Sequence, residues 1–217
     1  MARTDEGRRS SSSRPTTLAT GMRERSRCRP ACHRRHGELR FTACGVVGGD
    51  AVLGEVGLGH VFAQQRLESA RLSHCMRLAG RARRALEAAQ AYVGRRNSFG
   101  QRLADLQQIQ AMVADSHIDL HACRLMTMDC AARMDAGLPV KTESAMTKVF
   151  VSEALYRVAD RAAQMMGALG MADDAQPSLV QRELRPFRVY DGASELHRAT
   201  LGRRFLRTST PPEETRA

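Results

Sequence analysis

Tryptophan is absent from this 217-residue chain, and aromatic residues make up only 4% of it. A core must therefore be built from Leu, Val, Ala and the eleven Met, whose flexible thioethers suit contacts between helices better than the interior of a β-sandwich. No apolar stretch approaches the roughly 20 residues that a membrane-spanning helix needs, so no membrane partner is expected. Acid is scarce at the start of the chain. Residues 1–36 hold ten Arg against Asp5, Glu6 and Glu24, a surplus of +7 within the total of +11. A segment so basic, Ser-rich and poor in apolar residues cannot bury enough surface to fold alone, and it reads as a disordered tail. Its charge would attract polyanions, but it lacks interleaved aromatics and any recognition module, so no specific nucleic-acid partner is expected. The twin Arg has no apolar segment behind it, and Asp5 and Glu6 break the Arg/Ser bias of a transit peptide. A cytoplasmic location follows as the expectation, with the mitochondrial matrix as the alternative.

Cysteine is limited to Cys28, Cys32, Cys44, Cys75, Cys123 and Cys130. Cys123 and Cys130 are seven apart, on one helical face, and read as small buried hydrophobes in a reducing compartment. Cys28, Cys32 and His33 in "CRPACH" would make half a metal site with no second half. His117 and His121 in "HIDLH" have metal-like spacing, but no general base or third ligand goes with them. No metal is expected.

What is present is helical periodicity. A short β-type run, "GELRFTACGVV" (residues 37–47), and a Gly-punctuated loop, "LGEVGLG", come first. Leu78, Ala82, Leu86, Ala89 and Val93 then form one stripe of a long helix ending near Arg96. Leu103, Leu106, Ile109, Val113 and Leu120 mark a second helix running to about Asp135, stopped by "AGLPV". Met146, Val149, Leu155, Val158, Ala162 and Met165 mark a third, starting near Thr142 or Ser144 and ending at "GALGMADDAQP". Ser178 is positioned to cap a short fourth helix that Pro186 ends, and a fifth runs over residues 193–207. The expected fold is all-α: an up-and-down antiparallel bundle of three long helices plus two shorter ones, preceded by a short strand. The expected divisions are 1–36, tail; 37–60, strand remnant and linker; 61–207, bundle; 208–217, polar tail.

Three loop-edge clusters interrupt this pattern. Arg95, Arg96, Asn97 and Ser98, beside Phe99 and Gly100, suit a phosphate at a helix start, or else a solvated last turn. "QMMGALG" ends a helix in Gly167 and Gly170, which would let a planar ligand approach the backbone, or would simply cap the helix. "VYDGASELHR" places Asp191 beside Gly192 before the last helix. There it is either a helix cap or, if desolvated, a general base. Glu68 and Arg71 share a helical face at the spacing of an intrahelical ion pair.

The order of these clusters is more specific than any one of them. R-x-S-F-G, then Q-x-x-G-x-x-G, then Y-D-G resembles the C-terminal helical domain of the flavin-dependent acyl-CoA dehydrogenases, over about residues 37–207. "RLESARLSHCMRLAGRARRALEAAQAYVGRR" resembles that family's first bundle helix and "SAMTKVFVSEALYRVADRAAQMMGALGM" its third. Y-D-G followed by x-x-E-x-H-R is similar to one subgroup. The resemblance implies oxidation of an acyl-CoA thioester to the trans-2-enoyl-CoA. A carboxylate removes the α-proton while the β-hydride passes to FAD. It implies Asp191 as that base, one methylene shorter than the Glu of many members. It implies FAD contacts at Arg96, Ser98 and Phe99, reaching a neighbouring subunit's cofactor, and at Gln164 and Gly167, with Ala168 where the pattern has a second Gly. Glu68 and Arg71, with Tyr190 and Gly192, are implied near the acyl-CoA. An electron-transfer acceptor and a homodimer or homotetramer are the implied partners. The family also carries an N-terminal helical domain and a middle β-domain, of which this chain is expected to retain only a last strand. The alternative is a non-catalytic bundle subunit or scaffold of the same family.

Overall fold

The computed structural model of the protein describes Met22–Glu24, Gly37–Leu39, Val52 and residues 54–209. Met22–Glu24 (β1) and Gly37–Leu39 (β2) form an antiparallel pair, Met22 opposite Leu39 and Glu24 opposite Gly37. β2 is the start of the β-type run. β1 supplies its partner from within the stretch read as a tail. The rest of that stretch, the remainder of the run, residues 210–217, and Cys28, Cys32, His33 and Cys44 lie outside the described residues. The pair belongs to one compact unit, and the helical body from Val61 onward, just inside the first helix, belongs to another.

The body is all-α, as the patterning predicts. Gly59–Val93 (α1) is a 35-residue helix, about 52 Å long at 1.5 Å per residue. Its predicted stripe, Leu78, Ala82, Leu86, Ala89 and Val93, is buried, joined by Cys75 and Ala85. Gln107–Asp135 (α2) begins later than expected. Asn97–Ser98 (β3) and Gln101–Arg102 (β4) form a hairpin ahead of it, and a 3-10 turn over Leu103–Asp105 follows. The R-x-S-F-G cluster therefore makes a hairpin tip rather than opening the helix. The residues of α2 that are buried are Ser116, Cys123, Thr127 and Cys130, at spacings of seven, four and three. Its apolar stripe at Ile109, Val113 and Leu120 is only half-buried, because α2 is covered along a narrow seam and leaves Ile118, Leu125 and Met128 exposed. Ser116 and Thr127 satisfy their hydroxyls within the helix, donating to the carbonyls of Met112 and Cys123.

α2 stops where the sequence says it should. Gly137 takes φ +70, its N–H donates to the Met134 carbonyl at 2.9 Å, and the Leu138 N–H donates to Arg133 at 3.0 Å. That is the Schellman arrangement of hydrogen bonds, with Gly in the left-handed position. Lys141–Met166 (α3) is the central helix and packs on α2 and on both later helices. Gln176–Phe187 (α4) starts with Pro177 in its first turn, which is pre-set for that position, so Ser178 lies inside the helix rather than capping it. Ser194–Ser209 (α5) completes the bundle. One cluster of Leu, Val, Ala, Met and Cys side chains from α1, α2, α3 and α4, with Phe187, forms the core. Cys75, Cys123 and Cys130 are buried and free. No helix among the described residues is long and apolar enough to cross a membrane.

Candidate functional site

The loop between α4 and α5 is where buried polar chemistry gathers. Pro186 ends α4 by offering its carbonyl to the N–H groups of Val189, at 2.8 Å, and Tyr190, at 3.0 Å. Asp191 and Gly192 follow with φ of +56 and +97. Left-handed backbone is tolerated by Asp and natural to Gly. At Gly192 a side chain is also excluded by space, since a Cβ would run into the His197 imidazole.

Three helices hold this loop by its carbonyls. Arg71, on α1, donates from Nε to the Asp191 carbonyl at 3.0 Å. His197, on α5, meets the same carbonyl through Nε2 at 3.2 Å, which requires its proton on Nε2. Lys148, on α3, donates from Nζ to the Gly192 carbonyl at 2.6 Å. Lys148 is 0% exposed, with its ammonium 5.4 Å from the centre of the Phe187 ring. Burial pushes its pKa down from 10.5 to about 8, and Arg71 also lowers it, while Cys75 and Asp191 work the other way. Burial likewise lowers His197, with Arg71 and Lys148 adding to the effect against the Asp191 carbonyl.

With its main chain held, Asp191 turns its carboxylate toward α1. Oδ2 lies 3.3 Å from His74 Nε2, and the side chain is 16% exposed. Among the described residues Oδ2 accepts no helix N–H, so this oxygen is not spent on capping the last helix. Tyr190 packs on Phe187, ring centres 5.3 Å apart, and meets His74 edge-on at 5.4 Å. Burial raises the Tyr190 phenol above its ordinary value.

The expected residues thus fall into three groups. Arg71, Tyr190, Asp191 and Gly192 come together. Glu68 lies one turn before Arg71, half-buried, but the two form no ion pair; Arg71 spends its Nε on Asp191 instead. Arg96, Ser98 and Phe99 sit on the β3–β4 hairpin. Phe99 and Gly100 both take positive φ, +53 and +78, as a type I′ two-residue hairpin turn requires, and Phe99 is 88% exposed. Gln164 and Gly167 are exposed at the end of α3, beside a crevice of about 240 Å³ lined also by Tyr156, Asp160, Met171 and Gln181. Gly167 takes φ +59 and leaves open space where a Cβ would stand. Gly170 is different: a Cβ there would strike the Ala163 carbonyl, so its smallness serves packing against α3 rather than ligand approach. Among the described residues no three His, Cys, Asp or Glu side chains gather as a metal site. His117 instead contacts Gln90, Nε2 to Nε2 at 3.2 Å.

The model for "Acyl-CoA dehydrogenase, C-terminal domain" matches residues 57–206. The chain belongs to the acyl-CoA dehydrogenase family. It is 37% identical over 169 residues to the (R)-benzylsuccinyl-CoA dehydrogenase of Thauera aromatica, covering 76% of this chain and 42% of that protein. Against the mitochondrial short-chain specific acyl-CoA dehydrogenase of Mus musculus it is 34% identical over 157 residues, covering 72% and 38%. The butyryl-CoA dehydrogenase structure from Megasphaera elsdenii superposes with a TM-score of 0.75 at 27% identity, covering 79% of this chain and 45% of that one. The chain thus spans about two-fifths of the length of these two curated relatives.

Lys148, His197 and His74 are the members of the cluster that the sequence did not single out. Lys148 had a signal: it falls four after Ser144 and three before Val151, both buried, so a Lys stands on the inward face of α3. His197 stands in the E-x-H-R that follows Y-D-G. His74 had none, because its relation to Asp191 exists only across the fold.

Proposed function

We propose that this chain carries the proton-abstracting part of an acyl-CoA dehydrogenase site, acting on the α,β bond of an acyl-CoA thioester. The observation that carries the reading is the held Asp191 loop. Three donors from three helices fix the main-chain carbonyls of Asp191 and Gly192, and the side chain's Oδ2 is shut off from solvent. A base fixed in this way loses little orientation freedom when it reacts, which lowers the barrier to proton transfer. Asp191 takes the α-proton of the thioester onto its carboxylate. Tyr190 and Phe187 keep water off the loop on its α4 side, and Arg71, with Glu68 a turn before it, borders the acyl-CoA.

FAD, when bound, supplies the acceptor for the β-hydride. The residues present fit its outer parts. Arg96 offers an exposed guanidinium, Ser98 a hydroxyl, Phe99 an exposed ring and Gln164 an amide, beside the unobstructed Gly167. This donor set suits a pyrophosphate and an aromatic face. A homodimer or homotetramer and an electron-transfer acceptor complete the reading. The buried free thiols suit a reducing compartment such as the cytoplasm.

The deciding experiment is Asp191→Asn in the FAD-loaded chain, followed by acyl-CoA-dependent dye reduction. Turnover should fall by at least about a hundredfold with flavin retained, since a positioned general base contributes 10²–10⁴-fold. Unchanged turnover would refute the assignment. One observation favours a second reading, a non-catalytic bundle subunit. Ile118, Leu125 and Met128 form an exposed apolar row on α2, of the kind partner helices cover. Colourless protein that oligomerises and oxidises no acyl-CoA would support it.

A further inference from the structure

A file of side chains leads from α4 across α1 to Asp191. Glu183 accepts Arg77 Nη1 on Oε1 at 2.6 Å and Arg81 Nε on Oε2 at 2.8 Å, so the Arg77 guanidinium is anchored. Arg77 Nη2 then stands 3.4 Å from His74 Nδ1 and 3.5 Å from the Tyr190 hydroxyl. A guanidinium has five N–H donors and no acceptor, so His74 Nδ1 must present its lone pair to it. A neutral imidazole with its lone pair on Nδ1 carries its proton on Nε2. That nitrogen is the one facing Asp191 Oδ2 at 3.3 Å. Oδ2 is buried and has no aligned hydrogen-bond partner, while the Asp191 side chain keeps 16% exposure. What the carboxyl group offers to an incoming molecule is therefore its other side.

We infer that Arg77 fixes His74 as the Nε2–H tautomer, and that His74 is the positioning residue of Asp191, engaging Oδ2 so that the other carboxylate oxygen is left to take the proton. The second half rests on the proposed role of Asp191; the first does not. A neutral N–H orients a carboxylate without placing a full positive charge against it, which would weaken it as a base. The cations nearest the loop, Arg71 and Lys148, are turned to its carbonyls. The His74–Asp191 contact is not aligned as a hydrogen bond here. The last torsion of a His side chain is soft, and catalytic hydrogen bonds of free enzymes commonly tighten on substrate binding.

The test begins with ¹⁵N NMR of the full chain labelled in His, with His74 assigned by its loss in His74→Gln. At neutral pH the His74 ring should show Nδ1 unprotonated and Nε2 protonated, and Arg77→Met should move it toward a mixture of tautomers. A proton on Nδ1 in the wild type, or no change in Arg77→Met, would overturn the tautomer lock. The positioning role is read on the FAD-loaded chain. His74→Gln keeps an N–H near Nε2 and should stay within about threefold of wild-type kcat, whereas His74→Leu should lose roughly a hundredfold in kcat with KM little changed. Equal losses in the two variants would overturn it. A wild-type chain without turnover removes the proposed function and the positioning role with it, and leaves the tautomer lock to stand or fall on the NMR.

Discussion

Replacing Lys148 with Met tests whether a buried ammonium holds the Asp191 loop. The residue is fully enclosed and donates to the Gly192 carbonyl at 2.6 Å. Removing it leaves that carbonyl unpaired, at a cost of about 1–3 kcal/mol, and also removes the desolvation penalty of a buried cation, so the two effects oppose at neutral pH. The pH dependence separates them. Burial lowers the folded-state pKa from 10.5 to about 8. Above pH 8 the folded protein has released this proton while the unfolded chain still holds it, so the Lys148 contribution rises with pH. It is fully present above 10.5 and lost as pH falls through about 8. Each tenfold change in proton affinity is worth about 1.4 kcal/mol, so the whole interval corresponds to about 3 kcal/mol. Urea denaturation of both chains at about pH 7 and about pH 10 should show the wild type gaining roughly 2–3 kcal/mol relative to Lys148→Met. Titrating groups that do not act on Lys148 are common to both chains and cancel in the comparison, whereas the coupling to Cys75, Asp191, Arg71 and Glu153 is lost with the lysine and is part of what the comparison reads. A gap between the two proteins that does not change with pH would refute the reasoning.

Gly192→Ala forces a side chain into left-handed backbone and against the His197 ring. A loss of roughly 2–4 kcal/mol, read as a fall in Tm of about 10 °C, is expected. Asp119 receives Arg157 and Arg161, each at 2.8 Å. Burial works against its charge, but those hydrogen bonds outweigh it and hold the carboxyl below its ordinary range. Its contribution is therefore present at neutral pH and lost as pH falls through the lowered folded-state value. Asp119→Asn should cost roughly 1–3 kcal/mol by urea titration at neutral pH, with the gap to wild type closing on acidification.

Much of the bundle was legible because periodicity reports which side of a helix is inward. The stripe from Leu78 to Val93 is buried as read, and Gly137 with Pro139 marked the end of α2. Errors arose where a local signal had two structural solutions. Asn97 to Gly100 reads as a helix start, yet Phe99 and Gly100 both adopt positive φ and close a hairpin. Ser178 reads as a cap, yet Pro177 sets the first turn of α4 ahead of it. Gly170 reads as a place for a ligand, and is instead where the chain crosses the α3 backbone.

The amino-acid sequence alone determined the helix order, the buried stripe of α1, and the loop that carries Asp191 between two helices, because each depends on residues only a few positions apart. What surrounds Asp191 depended on tertiary structure. Arg71 is 120 positions from the carbonyl it holds, Lys148 is 44 from its own, and Arg77 is 106 from Glu183. A hydrogen bond of about 3 Å demands that both ends be placed to a fraction of an ångström, and no spacing along one helix sets the position of another. Packing of α1, α3 and α5 around the α4–α5 loop decided which cations meet which carbonyls, and which nitrogen of His74 faces the carboxylate.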